Sequence, residues 1–257
     1  MDLWFWLLAI AAACAAGWRV FRRRDRARQL MLLCHRAGLE FSPIDPFHDT
    51  LWLPFRWLGG GRWTRAEHVI WNRAEGEDVR AFDLSIEDVP AQEDRPRTVR
   101  RYTCAAAALA SGCPRLEIRP RDTVANVVSA LDGADIEFEL EAFNRRFVVR
   151  SDDRRLAVTF CDQRMMQALL ALPRGVTIAV QDDRLLLRAA ELPPGETLLL
   201  FEAARAVARA VPTVVPALYP ARPAKGRHED RWLQGHWSPE PVGDDDQVTT
   251  PVSGTEP

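Results

Sequence analysis

Three features predict an α+β fold: one transmembrane helix at the amino end, then a cytosolic domain of antiparallel sheet packed with a few helices. Leu3 to Trp18 is an uncharged apolar run, followed at once by Arg19, Arg22, Arg23, Arg24, Arg26 and Arg28. Downstream, short segments alternate apolar and polar residues with the period of two that marks half-buried strands. Between them lie segments of helical period that open on capping or helix-starting residues, such as Asp162 and Pro193-Pro194. The composition is globular: 257 residues, 27% of them charged, with a formal net charge of −2. That balance argues against nucleic acid as a partner. Five cysteines, an odd and scattered set without a Cys-x-x-Cys pair, argue against a disulfide scaffold and for reduced thiols. Lys225 is the sole lysine among many arginines, and alanine is abundant, which fits a GC-rich bacterial genome.

Residues 1–21 are expected to form the anchor. Sixteen residues rising about 1.5 Å each fall short of a hydrocarbon core of about 30 Å. Val20 and Phe21 extend the run, and Arg19 can turn its guanidinium toward the head groups. Trp4, Trp6 and Trp18 sit near the two ends, where amphipathic rings favour the interface. With Arg19, Arg22, Arg23 and Arg24 they form the expected membrane-contact set. Positive residues are retained on the cytoplasmic side, which puts the amino terminus outside and the bulk of the chain in the cytoplasm, at the plasma membrane. A cleaved signal peptide would need a basic region before the apolar core, where only Asp2 is charged. Cys14 after three alanines suggests lipid attachment, but no basic segment precedes it.

Residues 22–38 read as a juxtamembrane basic helix. Ala27, Leu30, Met31, Cys34 and Ala37 keep a 3–4 spacing, and Gly38 is a natural stop. Residues 39–215 read as the α+β domain, with a split into two subdomains near 119 as one option. Gly59-Gly60-Gly61 is expected to turn, and His68–Trp71 to pair with the strand 79–86, where Phe82, Leu84 and Ile86 mark an apolar face. Pro90–Arg97 reads as a charged loop. Arg101–Ala110 and Leu116–Arg119 are strand candidates, although Ala105–Ala108 suits a helix equally well. A short helix is expected over Asp122–Leu131, closed by Gly133. Asp135–Glu141 alternates cleanly and reads as a strand.

Arg146–Arg150 and Leu156–Cys161 read as a hairpin turning at Ser151-Asp152-Asp153, which places Phe147, Val149, Leu156, Val158 and Phe160 in the core. Asp162 caps a helix bearing Met165, Met166, Leu169 and Leu170. A second hairpin, Val176–Gln181 and Arg184–Arg188, is expected to turn at Asp182-Asp183. The last helix opens at Pro193-Pro194 and presents Leu200, Ala204, Val207 and Val211 on one face. Residues 216–257 lack periodicity and read as a disordered tail, with Trp232, His236 and Trp237 as a possible recognition segment.

Candidate chemistry is sparse. Glu137, Glu139 and Glu141 would project from one strand face about 7 Å apart, a spacing that suits an acidic binding ridge, yet the same alternation describes any solvated strand face. The five histidines lack ligand spacing such as H-E-x-x-H, and Cys34 and His35 point about 100° apart on a helix, so no metal site is expected. Gly59-Gly60-Gly61-Arg62 lacks the lysine and hydroxyl of a P-loop and reads as a turn. Cys161 is expected to end a strand before a capped helix, where a thiol can be activated, but Asp162 beside it acts the other way. No catalytic residue, cofactor or metal is assigned.

Phe143-Asn144-Arg145-Arg146-Phe147-Val148-Val149-Arg150-Ser151-Asp152-Asp153, then Leu156-Ala157 and the helix Met165 to Leu170, resembles a pattern found in actinobacterial membrane-anchored proteins of unknown function. Gly38-Leu39-Glu40-Phe41, Asp45-Pro46-Phe47 and Phe82-Asp83 resemble them as well. The resemblance implies one or two membrane segments with a cytosolic α+β domain and carries no catalytic residue. The expected function is a non-catalytic interaction or scaffold protein, its partners being the lipid bilayer through the amino-terminal helix and another protein. The alternative is a hydrolase or small-ligand sensor whose site is assembled from distant residues.

Overall fold

The computed structural model describes residues 3–48, 50–55, 57–58, 61–72, 78–88, 98–121 and 135–221; within the first helix the side chains of 3, 5–16, 19 and 20 are not among those described, nor are those of 52 and 88. The expected loop at 90–97, the expected helix at 122–131 and the expected recognition segment at 232–237 lie outside these residues.

α1 is one continuous helix, Leu3–Ala37. Gly38 ends it at φ +68°, a left-handed conformation that glycine adopts without a Cβ penalty, and Leu39 N–H closes the turn on Cys34 O at 2.9 Å. Leu30 and Cys34 are buried and Ala27 is half-buried, as their spacing predicts. Met31 is 50% exposed: it lies 100° around the helix from Leu30, off the stripe that the domain covers.

Five antiparallel pairings build a six-stranded sheet. β1 (Glu40–Ile44), β2 (Gly61–Trp71), β3 (Val79–Asp88), β4 (Val99–Pro120) and β5 (Phe147–Ser151) follow in that order, and β6 (Thr177–Ala190) pairs with β4. Leu116 is paired with both Ser151 and Val180, so β5 and β6 flank β4 on opposite sides. Gly61 starts β2 where a Cβ would stand 2.6 Å from Glu87 O, which explains a glycine at this strand pairing.

β4 unites the two expected strands and the alanine run in one 22-residue strand. Alanine favours helix in isolation, but here both flanks are paired, to β3 and to β6, and tertiary pairing overrides the propensity. Each face of the sheet is covered. Ala81, Ala105, Ala107, Leu185 and Leu187 face the helices. Phe82, Leu84, Ile86, Cys104 and Leu186 pack beneath the segment 45–58, with its 3-10 turn Thr50–Trp52 and the buried Leu53, Phe55 and Leu58.

The helical layer comprises α1 and five shorter helices: α2 (Glu141–Arg146), α3 (Arg154–Phe160), α4 (Gln163–Leu170), α5 (Pro194–Ala210) and α6 (Val214–Leu218). α4 begins as read from the sequence, with Asp162 Oδ1 accepting from Met165 N–H at 2.7 Å. Arg146 closes its far end by donating to the carbonyls of Leu170 and Leu172. α5 buries Leu200, Ala204 and Val207 as expected.

Three readings are corrected. Asp135–Leu140 alternates in exposure but belongs to no strand; its backbone tie to the sheet is Ile136 N–H to Val149 O at 3.1 Å. Leu156–Cys161 is the helix α3 and not the return arm of a hairpin. Asp153 caps it, accepting from Arg155 N–H at 2.8 Å, and Leu156, Ala157 and Phe160 repeat at helical spacing. Val158 is therefore turned out, 54% exposed, while Phe147, Val149, Leu156 and Phe160 are in the core. Asp182-Asp183 makes no hairpin turn. Asp182 takes φ +52° within β6, and the register with β4 shifts there, so the strand bends and continues.

The chain also stays structured past 215. α6 is followed by Tyr219, whose hydroxyl donates to Asp153 Oδ2 at 2.6 Å, and Pro220 bridges to Ser111. From 222 the expected tail lies outside the described residues.

Candidate functional site

The polar centre of the molecule lies where α1 crosses the sheet. Asp83 stands in β3 on the helix-covered face, opposite Thr103 of β4. In β2, Glu67 and Ile70 both face this side, which leaves one residue too many between them, and the register shifts. His68 absorbs the excess at φ +54°. Such a bulge re-aims a side chain, and here it turns the imidazole onto Asp83, Nδ1 to Oδ2 at 2.8 Å. The left-handed backbone costs roughly 1–2 kcal/mol, an outlay that the hydrogen bond and burial must offset.

Arg26 enters from α1 and completes the network. Its Nε donates to Asp83 Oδ2 and one Nη to Oδ1, both at 2.7 Å, in the bidentate geometry that a guanidinium offers a carboxylate. Its other Nη donates to Leu192 O at 2.6 Å, at the start of α5. Thr103 Oγ1 donates to Asp83 Oδ1 at 3.2 Å and accepts from Leu192 N–H at 2.9 Å. The side chains of Arg26 and Asp83 are 13% and 15% exposed. Burial alone would raise the Asp83 pKa, but the hydrogen bonds of Arg26 and His68 outweigh it and hold the carboxyl below its usual range. Burial would likewise lower Arg26, yet the hydrogen bond and charge of Asp83, with Glu191 at 3.9 Å, leave it raised.

This arrangement is a clasp. An aspartate beside a histidine Nδ1 is half of a proton relay, but here the same carboxylate is held in a bidentate pair by Arg26. What the network does is mechanical. One guanidinium fixes α1 to β3 and to the start of α5, while β2 and β4 supply His68 and Thr103.

Toward the amino end of α1 from the clasp, the large apolar side chains that are described are exposed. Trp4, Trp18 and Phe21 are 77%, 61% and 60% exposed. Trp18 and Phe21 stack at 6.2 Å, and the Arg22 guanidinium lies 5.9 Å from the Trp18 ring centre. Arg22 and Arg24 are exposed and Arg23 is half-buried; the side chains of Trp6 and Arg19 lie outside the described ones. Arg26, which the sequence groups with these arginines, is turned onto Asp83 instead. Among the described residues no helix is long and apolar enough to cross a membrane. The apolar side chains of 5–16 are not in that set.

The expected acidic ridge is not on one strand face. Glu137 and Glu139 are exposed in the irregular segment, whereas Glu141 opens α2 and pairs with Arg145 at 2.8 Å. Among the described residues no group of three His, Cys, Asp or Glu side chains is placed to hold a metal. Cys34, Cys104, Cys113 and Cys161 are all free and buried. Burial pushes the Cys34 thiol up to about 11. Burial, with the Asp162 charge, pushes Cys161 up to about 12.

Sequence reasoning missed Asp83, His68, Thr103 and the inward role of Arg26. The one signal was a polar aspartate at a position of β3 flanked by buried Phe82 and Leu84, a residue type that needs a partner when covered.

No family model matches the chain, and no curated protein matches it. Among solved structures the chain is similar to the crystal structure of the mycobacterial trehalose monomycolate transport factor A, TtfA. The TM-score is 0.47 at 16% identity, covering 78% of this chain and 99% of that one. A likeness of this degree carries no argument about the role of the chain.

Proposed function

We propose that this protein is a membrane-tethered, non-catalytic interaction or scaffold protein whose sheet domain is held at the cytoplasmic face of the plasma membrane, with its amino terminus outside. One observation carries the reading: the exposed aromatic and basic turns at Trp18–Arg24 continue without a break into turns that are buried and clasped by Arg26 and Asp83. Exposed aromatic side chains on a helix whose other end is packed into a domain are a surface in want of a nonaqueous partner. In water it would be an aggregation liability; in a bilayer it is an anchor. The arginines after it favour retention of the domain on the cytoplasmic side.

The non-catalytic part rests on the chemistry of the polar centre. Asp83 is spent on Arg26, and the described thiols are buried with raised pKa, the reverse of an activated nucleophile. A rigidly mounted domain suits presentation of a surface to a protein partner.

Membrane fractionation tests the reading. The full chain should stay with membranes through alkaline carbonate extraction, and a chain lacking residues 1–21 should leave them and unfold cooperatively. An impermeant thiol reagent should reach a cysteine placed at Thr98 only after lysis. Carbonate release of the full chain would refute the anchor, and labelling of Thr98→Cys in intact cells would refute the orientation.

A further inference from the structure

α1 and β1 run in opposite directions about Gly38, so travelling toward the amino end of α1 is travelling along β3 toward Asp88. The register fixes the levels. The carboxyl end of α1 meets the row Glu40–Trp71–Arg80, and Arg26 meets the row Asp83–Thr103. Two residues farther along β3, on the same face as Asp83, comes the row Arg65–Ser85–Arg101. Two farther still comes Arg62–Glu87–Val99.

A helical turn and two strand residues advance by similar distances, about 5–7 Å. Arg22 and Arg23, one turn before Arg26, are therefore displaced from it in the same direction as Arg65 and Arg101 are from the Asp83 row. Arg62, Arg65, Arg101 and Val99 are all exposed. Glu67 pairs with Arg65 at 2.8 Å, Glu87 stands opposite Arg62, and Arg101 faces Ser85 across β3. The sheet thus carries a basic row, Arg65–Ser85–Arg101, followed by a row with the exposed Val99, on the side toward which the arginines of α1 lie.

We propose that this row is a second bilayer contact, by which the end of the sheet rests on an anionic leaflet. Arg65 and Arg101 take lipid headgroup phosphates from the sheet side while Arg22 and Arg23 take them from the helix side. The inference deepens the anchor reading and rests on it. It adds that the domain leans on the surface, so that orientation depends on lipid charge. The clasp makes this possible because it fixes the angle between α1 and the strands.

Full-length protein with Cys14→Ser and Thr98→Cys, labelled at Thr98 and mixed with vesicles, tests both readings separately. One vesicle is phosphatidylcholine alone; the other carries about a third phosphatidylglycerol. Flotation reports on the anchor, and quenching of the label by headgroup nitroxides reports on the sheet end. The expected result is flotation with both vesicles, and quenching several-fold stronger on the anionic one. Arg65→Glu with Arg101→Glu should abolish that difference without changing flotation on neutral vesicles. A basic residue close to an anionic leaflet is worth about fivefold in affinity, so the effect of two reversals is large. Equal quenching on the two vesicles, or a difference that survives the charge reversal, overturns the proposal. Failure to float on neutral vesicles refutes the anchor instead; anionic binding lost on charge reversal would then still support the basic row, and anionic binding retained would refute it.

Discussion

Replacing Asp83 with alanine should destabilise the protein by about 3–5 kcal/mol, the range for removing one partner from a buried ion pair. The figure follows from what the carboxylate leaves behind. Arg26 would stay 13% exposed with its Nε and one Nη stripped of their acceptor, and His68 would keep its left-handed backbone without the hydrogen bond that holds it. For a domain of this size a melting midpoint moves by about 2–4 °C per kcal/mol, so thermal unfolding of the full chain in detergent should fall by about 6–20 °C. The sharper measurement is a double-mutant cycle. Arg26→Met with Asp83→Leu removes both charges together and should recover most of the loss, because a buried pair replaced by apolar groups is often neutral. A loss below about 1 kcal/mol for Asp83→Ala, or additive single effects, would refute the clasp. The pH dependence has a fixed sign. The folded pKa of Asp83 is lowered, so its contribution is present above the unfolded carboxylate value of about 4 and is lost as pH falls through the folded value. The gap between wild type and Asp83→Ala should therefore be flat from about pH 5 upward and close only in stronger acid.

Phe160→Ala should cost about 3–5 kcal/mol by denaturant unfolding, since the ring is fully buried, whereas Val158→Ala should change stability by less than about 0.5 kcal/mol; equal effects would undo the helical assignment of 154–160. Cys161, with its pKa pushed up to about 12, should be alkylated at neutral pH far more slowly than a free thiol until the protein is denatured, as read by site-resolved mass spectrometry. Rapid native modification would put a reactive thiol, and with it an enzymatic reading, back in contention. Asp162→Ala should lose about 1 kcal/mol because Met165 N–H loses its acceptor, and Asp162→Asn should lose much less.

Elements with a strong local signal were legible in the sequence. β3 alternates, α4 opens on Asp162, and α5 carries a stripe at helical spacing; each pattern names its own period. The failures share a physical cause. Leu156–Cys161 has β-branched and aromatic residues that suit a strand, and what decides for helix is the cap at Asp153 together with burial of Leu156, Ala157 and Phe160. Asp182-Asp183 is good turn chemistry, yet β4 runs past it as a continuous template, so the turn residue becomes a bulge. The alanine run is a strand for the same reason: pairing on both sides is a long-range fact that local propensity does not contain. The polar centre was illegible because its members, at 26, 68, 83 and 103, come from four elements and meet only once the register is set.

The arginine cluster then divides by helical angle rather than by position in the chain. Arg22 lies about 40° from Arg26 around the axis, Arg23 about 60° to the other side, and Arg24 about 160°. Arg26 shares its stripe with Leu30, so the same rotation that buries Leu30 against the sheet drives Arg26 into Asp83. Its neighbours are left exposed or half-exposed toward the amino end. No proline or glycine occurs between Trp18 and Ala37, the two residue types that most readily break or bend a helix. A rotation imposed at Leu30 by packing is therefore carried rigidly to Trp18. Whatever surface the amino-terminal turns engage, they engage it at an angle set by the sheet, and Asp83 is the residue that sets it.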